Sequence, residues 1–175
     1  MIELRPATLS DVAAIAHVHN QIWRETMREL ASPSVFAALN EEHRLRYWTS
    51  KLSHPEPHQR VLVAEIEREA VGIGAIGQPT HPIFGSCAEI KNLCILSSFQ
   101  RQGIGRRLLE ALALNARSMC YRSAGLGVVK DNKLACEFYE ALRARKIGEF
   151  RDPGPIWRSD NIAYAWDNFD QLIAQ

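Results

Sequence analysis

The chain has 175 residues, which at about 100–200 residues per domain predicts one domain over 1–175. Hydrophobic residues make up 46% and charged residues 23% of the sequence, as in folded globular domains rather than disordered chains. Lys plus Arg number 21 and Asp plus Glu number 20, giving a net charge of +1, which is too small to attract phosphate backbones or anionic lipids. We therefore expect neither nucleic acid nor a membrane as a partner.

The N-terminal segment carries no export signal. Residues 1–11 contain two acidic side chains and lack the apolar core of about 7–15 residues that a signal peptide requires. No run in the chain approaches the roughly 20 apolar residues that span a bilayer. We expect a cytoplasmic protein.

The cysteines and histidines do not have the spacing of metal ligands. The four cysteines form no C-x-x-C pair, lie in apolar segments and are predicted to be small buried hydrophobes: Cys87, Cys94, Cys120 and Cys136. His54 and His58 are four residues apart, but Pro55 and Pro57 between them exclude the helix that would align them. No metal site is predicted.

Helical periodicity dominates the first third of the chain after a short N-terminal strand. Thr8 and Asp11 have capping-box spacing, which predicts a first helix over 9–28. Ser32 followed by Pro33 predicts a second helix start, and that helix should end near the Pro55/Pro57 loop. These acceptor-side helices, as they are interpreted below, cover about 9–52.

The remaining chain alternates strands and helices. Period-two segments at 61–66 and 71–76, separated by a charged turn, predict an antiparallel hairpin. The elements predicted after it are a strand at 88–96, a helix through Leu108 and Met119, a strand at 124–129, a helix at 134–144, and strands at 146–150 and 162–166. The order α-α-β-β-β-α-β-α-β-β after the first strand indicates the α/β (α+β) class, a mixed sheet with helices on its faces.

Residues 87–114 contain the segment that indicates chemistry. A strand leads into a loop with Gly103 and Gly105, and an amphipathic helix follows at once. Free N–H groups and the positive end of a helix dipole then meet at one point, with Arg101, Arg106 and Arg107 at the rim. This arrangement predicts a phosphate site, because glycine lets a phosphate approach the backbone.

Two nucleotide motifs can be excluded at this loop. A P-loop needs Lys and Ser or Thr after its last glycine, and no Lys follows Gly105. A dinucleotide fingerprint needs a small residue at position 108, where the chain has Leu108.

The loop resembles the acyl-CoA motif of the GNAT superfamily of N-acetyltransferases. The resemblance rests on Leu93-Cys94-Ile95 followed by Gln100-Arg101-Gln102-Gly103-Ile104-Gly105. It implies a GNAT-like acyl-CoA N-acyltransferase fold, with acetyl-CoA as acyl donor and no metal. The cofactor-binding residues that it implies are Cys94, Ile95, Gln100, Arg101, Gln102, Gly103, Ile104, Gly105, Arg106 and Asn132.

The resemblance extends over most of 2–167, with one departure. Arg5-Pro6-Ala7-Thr8 resembles the family's opening, and the segment from Asn132 to Tyr139 resembles its second cofactor-side helix. Where the family commonly closes that helix with Leu-Gly, this chain has Leu142-Arg143. Without glycine the helix could extend further.

The family likeness also implies catalytic roles, each beside a structural alternative. Glu89 lies on the strand before the loop, on the predicted face of Lys91, Leu93 and Ile95, where it is either a general base or the ion-pair partner of a nearby cation. Tyr139 is either the acid that protonates the leaving thiolate or a packed aromatic. Asn132 can bond the pantetheine arm, cap its helix, or do both. The Ile95 N–H is expected to stabilise the oxyanion.

The sequence thus predicts an acetyl-CoA-dependent N-acetyltransferase acting on a primary amine of a small molecule or peptide. The alternative is a non-catalytic acyl-CoA sensor or scaffold of the same fold. Charges in 20–52 are balanced, which favours neither a polyamine nor a strongly anionic acceptor. Four aromatic residues could line the acceptor pocket or belong to the core: Trp23, Tyr47, Trp48 and Trp157.

The final strands raise the question of self-association. They carry the apolar residues Ile156, Trp157, Ile162, Tyr164 and Trp166. This apolar edge predicts either burial within the domain or contact with a second copy in a homodimer.

Overall fold

The computed structural model describes residues 1–173, which form seven strands in the predicted order and six helices where four were predicted. In chain order these are β1 (Ile2–Pro6), α1 (Val12–Thr26), α2 (Pro33–Ala38), α3 (Glu41–Ser53), β2 (Arg60–Ile66), β3 (Glu69–Gly77), β4 (Ala88–Ile95), α4 (Ile104–Ser118), β5 (Ala124–Val129), α5 (Lys133–Ala141), β6 (Arg145–Arg151), β7 (Asp160–Trp166) and α6 (Asp170–Ile173). The mixed α/β class is confirmed. Over these residues, no helix is long and apolar enough to cross a membrane.

The predicted second helix is in fact two helices. Asn40 adopts an extended conformation and its Oδ1 accepts a hydrogen bond from the His43 N–H at 2.9 Å, so Asn40 caps a new helix, α3. Helix α2 ends just before this cap, after Ser32 has capped its start through the Val35 N–H. The predicted capping box holds, since the Thr8 N–H donates to Asp11 Oδ2 at 2.7 Å, although residues 9–11 form a 3-10 turn before α1.

The strands form one sheet in the order β1-β2-β3-β4-β5-β7-β6. All neighbouring pairs are antiparallel except β4 and β5, which run parallel and pair only at Ala88 with Ala124 and at Glu89 with Gly125. Beyond these pairs β4 continues along β3 as far as Ile95, and β5 continues along β7 as far as Val129. The two central strands therefore separate, and we call the opening the β4–β5 gap.

Helices cover both faces of the sheet and bury a separate apolar cluster on each. On the α4/α5 face, Leu108, Leu109 and Trp166 are fully buried. On the α1/α3 face, Ile15, Ile73 and Trp48 fill the smaller cluster. Full burial of each such side chain contributes about 1.5–3 kcal/mol to stability. Trp48, one of the four aromatic candidates, is thus a core residue.

A β-bulge in β4 changes which side chains share a face. Ile90 pairs with Ile76 and Asn92 pairs with Ala75, so Lys91 is the extra residue. The expectation that Glu89, Lys91, Leu93 and Ile95 share one face was therefore wrong. Leu93 and Ile95 pack against the α4/α5 cluster instead.

The last strand buries two of the five apolar residues that raised the question of self-association, and Trp157 and Ile162 are half-buried. Tyr164 and Trp166 are 1% and 0% exposed within the domain, while Ile156 is 38% exposed. A homodimer stays a prediction.

The four cysteines are free thiols, but Cys120 is exposed just after α4, contrary to the prediction that all are buried.

Helix α5 ends without glycine because Arg143 adopts the left-handed conformation, with φ of 62°. The N–H of Ala144 donates to the Tyr139 carbonyl at 3.0 Å, and the Arg143 N–H donates to the Glu140 carbonyl at 2.9 Å. These bonds close the helix as a glycine would. The chain therefore does not extend α5 past Leu142, and β6 starts at Arg145.

We predict that Arg143→Gly stabilises the protein, because a side chain in the left-handed region costs about 1–2 kcal/mol. Glycine's larger unfolded-state entropy offsets part of this gain. Thermal unfolding should show Tm rising by about 2–4 °C. The matched control is Glu137→Gly, an exposed position inside α5 where glycine should lower Tm. An unchanged or lower Tm for Arg143→Gly would contradict the assigned strain.

Candidate functional site

The β4–β5 gap exposes backbone groups in the middle of the sheet. The Leu96 N–H donates to the Val71 carbonyl at 2.9 Å. Backbone N–H and C=O groups of alternate residues in an antiparallel strand point to the same neighbouring strand, so those of Cys94 also point to β3. The backbone N–H and C=O groups of Leu93 and Ile95 therefore point toward β5, where the strand pairing has already ended. The gap can therefore accept an extended ligand that hydrogen-bonds like a strand.

The loop after β4 is braced by its own side-chain amides. Gln100 Nε2 donates to the Ile95 carbonyl at 3.0 Å, and Gln102 Nε2 donates to the Ser98 carbonyl at 3.3 Å. The first bond occupies the Ile95 carbonyl and leaves the Ile95 N–H directed into the gap. These two predicted site residues thus shape the loop from within.

Gly103 sits at the N-cap of α4 in the left-handed conformation, with φ of 79°. Apart from Gly103 itself and its two chain neighbours, no residue in 1–173 has an atom within 4 Å of the position that a Cβ would occupy there. The N–H groups of the first helical turn, from Ile104, have no carbonyl partner inside the helix, and the helix dipole is positive at this end. The open space over Gly103 therefore suits an anion.

Gly105 fixes a close approach between three elements. A Cβ at Gly105 would lie 3.3 Å from Phe138 Cζ on α5 and 3.4 Å from Ile95 Cδ1 on β4. The start of α4, the end of β4 and α5 consequently meet beside the gap.

The predicted rim arginines differ in their surroundings. Arg101 is exposed in the loop with φ of 60°, and Arg107 reaches back to the Ile2 carbonyl at 3.4 Å. Arg106 pairs along the helix with Glu110 at 3.0 Å. Positive charge is therefore present at the loop, and the side chains of Arg106 and Arg107 are oriented by contacts within the domain.

Helix α5 brings Tyr139 and Asn132 to the same region. Asn132 Oδ1 accepts a hydrogen bond from the Ala135 N–H at 3.3 Å, which confirms its role as a helix cap. The Tyr139 ring packs edge-on against Phe138 and Trp166, and burial raises the pKa of its hydroxyl well above the usual value near 10. The hydroxyl is therefore fully protonated at neutral pH and can serve as a donor.

Cys94 connects the two faces of the sheet at the end of β4. Burial raises the pKa of its thiol to about 11, so the thiol is neutral at physiological pH. Its position beside Tyr139 contributes to the raised pKa of the tyrosine, and on its other side the Arg44 guanidinium favours the thiolate. Cys94 packs on the α1/α3 cluster, and Tyr139 belongs to the α4/α5 cluster on the other face of the sheet.

Glu89 is not brought to the loop. It lies near the other end of β4, roughly 15–20 Å from Ile95 at about 3.3 Å per residue. Its Oε2 accepts hydrogen bonds from the N–H and hydroxyl of Thr80, at 2.6 and 2.7 Å, and lies 3.6 Å from Lys91 Nζ. The ion-pair alternative is therefore present, and all three contacts end on the same carboxylate oxygen.

The α1/α3 side of the gap contains two of the aromatic candidates, Trp23 and Trp157, beside an arginine that sequence reasoning did not single out. Trp23 packs on Phe36 and Trp157, with ring centroids 5.0 and 5.8 Å apart, so α1, α2 and the β6–β7 connection meet there. The Arg44 guanidinium lies 5.2 Å from the centroid of the Trp23 ring. Nothing in the local sequence distinguishes Arg44 from the other arginines of α1 and α3.

Comparison with known proteins identifies relatives of this arrangement. The model of the acetyltransferase (GNAT) family matches residues 21–143. An uncharacterised N-acetyltransferase of Bacillus subtilis (strain 168), YuaI, is 29% identical over 173 residues, covering 98% of this chain and 96% of the relative.

Solved structures of acetyltransferases share the fold. The PaiA N-acetyltransferase of Thermoplasma acidophilum, in complex with coenzyme A, superimposes with a TM-score of 0.71 at 17% identity, covering 95% of this chain and 99% of the other. YncA of Salmonella typhimurium with its cofactor acetyl-CoA gives 0.69 at 19% identity, covering 95% and 94%.

Proposed function

The chain belongs to the GNAT acetyltransferase family, and from that premise we propose that it transfers the acetyl group of acetyl-CoA to a primary amine of a small molecule or peptide. The observation that carries the proposal is the β4–β5 gap ending at the N-terminus of α4. This arrangement offers strand-like hydrogen bonding and an anion site in line with each other, which matches the pantetheine arm and pyrophosphate of coenzyme A.

In this proposal the residues of the loop hold the donor. The pyrophosphate lies over Gly103 and receives hydrogen bonds from the first N–H groups of α4. The pantetheine arm pairs with Leu93 and Ile95 in the gap, and Asn132 borders it on α5. Cys94 lies at the thioester end. Gln100 and Gln102 hold the loop in shape, and Arg101 and Arg106 add positive charge.

The chemical step requires an amine nitrogen to attack the thioester carbonyl carbon. The Ile95 N–H stabilises the resulting oxyanion, since it faces the gap without a strand partner from β5. Collapse of the tetrahedral intermediate breaks the carbon–sulfur bond, and the thiolate takes a proton from Tyr139. Burial raises the pKa of Tyr139, which keeps the hydroxyl protonated but makes it a weaker acid, so the transfer requires a close hydrogen bond from this hydroxyl to the sulfur as the thiolate forms.

Glu89 is proposed as the base that receives the amine proton. Its distance along β4 from Ile95 favours a relay through water rather than direct contact. Thr80 and Lys91 occupy Oε2, so Oε1 is the oxygen that would accept the proton.

We predict that Gly103→Glu abolishes most coenzyme A binding. The new carboxylate would occupy the open space over the loop and repel the pyrophosphate, so Kd measured by calorimetry should rise well over tenfold, or more than about 1.4 kcal/mol. Gly85→Glu is the matched control, because Gly85 also has positive φ and open space around its Cβ position.

The control variant should keep its Kd within about twofold. Equal loss in both variants would indicate general destabilisation. An unchanged Kd in folded Gly103→Glu would remove the cofactor site from this loop.

We predict that Tyr139→Phe and Glu89→Gln both lower kcat. Loss of a positioned acid or base typically costs about 10²–10⁴-fold. Tyr139→Phe keeps the ring packing, so KM for acetyl-CoA should not change. Glu89→Gln should lower kcat/KM for the amine as well as kcat, because an amide cannot accept the amine proton.

Tyr164→Phe serves as the control for loss of a hydroxyl in the same aromatic cluster. Tyr164 donates to Glu140 Oε1 at 2.6 Å, and its removal should leave kcat nearly unchanged. Full activity in Tyr139→Phe would return that residue to a packing role. Acetyl-CoA binding with no transfer to any amine would favour the sensor alternative.

A further inference from the structure

Three buried side-chain atoms in residues 1–173 have no hydrogen-bond partner: Asn20 Oδ1, Arg44 Nε and Asn92 Oδ1. Buried polar atoms are nearly always paired, so each of these requires an explanation. All three belong to elements of the α1/α3 side. Asn20 lies on α1 between Ala16 and Trp23 at helical spacing, Arg44 lies on α3, and Asn92 is on β4.

The orientation of Asn92 follows from its strand register. Asn92 pairs with Ala75 and Cys94 pairs with Ile73, and both partners lie in the α1/α3 cluster. Residues directly opposite each other in a sheet point to the same face. Asn92 therefore shares the face of Cys94, toward α1, which packs across β4.

Arg44 is the most costly of the three groups to bury. It is 8% exposed, and no carboxylate in the described chain forms an ion pair with it. Its contact with the Trp23 face supports the charge from one side only. An unpaired buried guanidinium is strongly destabilising, because desolvation is not compensated by a counter-charge.

We propose that Arg44 binds a carboxylate of the acceptor, so that the acceptor is an amine carrying a carboxylate, of the α-amino acid type. This inference rests on the proposed function, which has the thioester at Cys94. Cys94 packs against the α1/α3 cluster, and Arg44 is buried on α3, whereas Tyr139 belongs to the α4/α5 cluster. A carboxylate matches the planar fork of a guanidinium and supplies the missing counter-charge.

The other two atoms fit the same class of acceptor. Asn20 Oδ1 and Asn92 Oδ1 accept hydrogen bonds and can receive the N–H groups of an amine. One guanidinium together with two neutral hydrogen-bond acceptors suits a molecule with one carboxylate and one amine. A polyamine would instead meet an unpaired positive charge, and its affinity would fall for that reason.

The experiment compares α-amino acids with their α-carboxamides as acceptors, following release of coenzyme A. The amides also represent peptide N-termini, whose first carbonyl is not ionised. Wild-type protein should prefer an acid over its own amide by at least about tenfold in kcat/KM. Arg44→Met should abolish this preference mainly by raising KM for the acid, while KM for acetyl-CoA stays the same.

Two further variants complete the design. Arg46→Met is the matched control on the same helix, since Arg46 is exposed and pairs with Glu42 at 2.6 Å; it should retain the preference. Arg44→Lys should restore part of it, because lysine keeps the charge without the fork. A preference that survives in folded Arg44→Met, or amides accepted as well as acids by the wild type, would overturn the inference.

Failure of the inference and failure of the proposed function give different results. Acetylation of amines that lack a carboxylate, with none of the amino acids accepted, overturns only the carboxylate assignment. Acetyl-CoA binding without acetylation of any amine overturns the proposed transfer itself. The Arg44 site is then tested by amino-acid-induced thermal stabilisation in the presence of coenzyme A, which Arg44→Met should abolish and which must occur in the wild type if the site exists.

Discussion

The separation of β4 from β5 is the constraint on which the rest of the structure depends. Parallel neighbours in the centre of a sheet normally pair along their length, but here pairing stops after Ala88 and Glu89. Backbone groups at Leu93 and Ile95 are left without a strand partner on that side, which is costly in a protein interior. The antiparallel ladders to β3 and β7 hold the two strands apart, and α4 and α5 meet at the open end through the contacts around Gly105.

The two faces of the sheet on either side of this gap differ in their packing. On the α4/α5 face the apolar cluster is large and continuous, and it fixes the glycine loop and Tyr139. On the α1/α3 face the cluster is smaller, and polar atoms of Asn20, Arg44 and Asn92 remain unpaired. Such unpaired groups lower stability unless a ligand satisfies them. Ordinary alternation along β4 directs Cys94 to one face and Ile95 to the other, and the β-bulge at Lys91 places Glu89 on the face of Cys94 rather than on that of Ile95.

Local sequence patterns predicted the parts of the structure that depend on near neighbours. Period-two segments predicted β2 and β3, and the glycine loop from Gln100 to Gly105 predicted the start of α4. The bulge at Lys91 could not be predicted, because alternation alone is blind to one inserted residue. Arg143 could not be recognised as a helix terminator, since the left-handed position usually requires glycine. The burial of Arg44 depends on tertiary packing between α1, α3 and β4. The residues next to Arg44 in the sequence do not indicate that packing.

Amide hydrogen exchange of residues 93–106, with and without saturating coenzyme A, tests the account most directly. If the ligand pairs with β4 in the gap and its pyrophosphate caps α4, exchange at Leu93, Ile95 and the first turn of α4 should slow by at least about tenfold. Amides of β1, at the far edge of the sheet, should exchange as before. Saturated ligand with unchanged exchange over 93–106, or with protection only elsewhere, would contradict the role assigned to the gap.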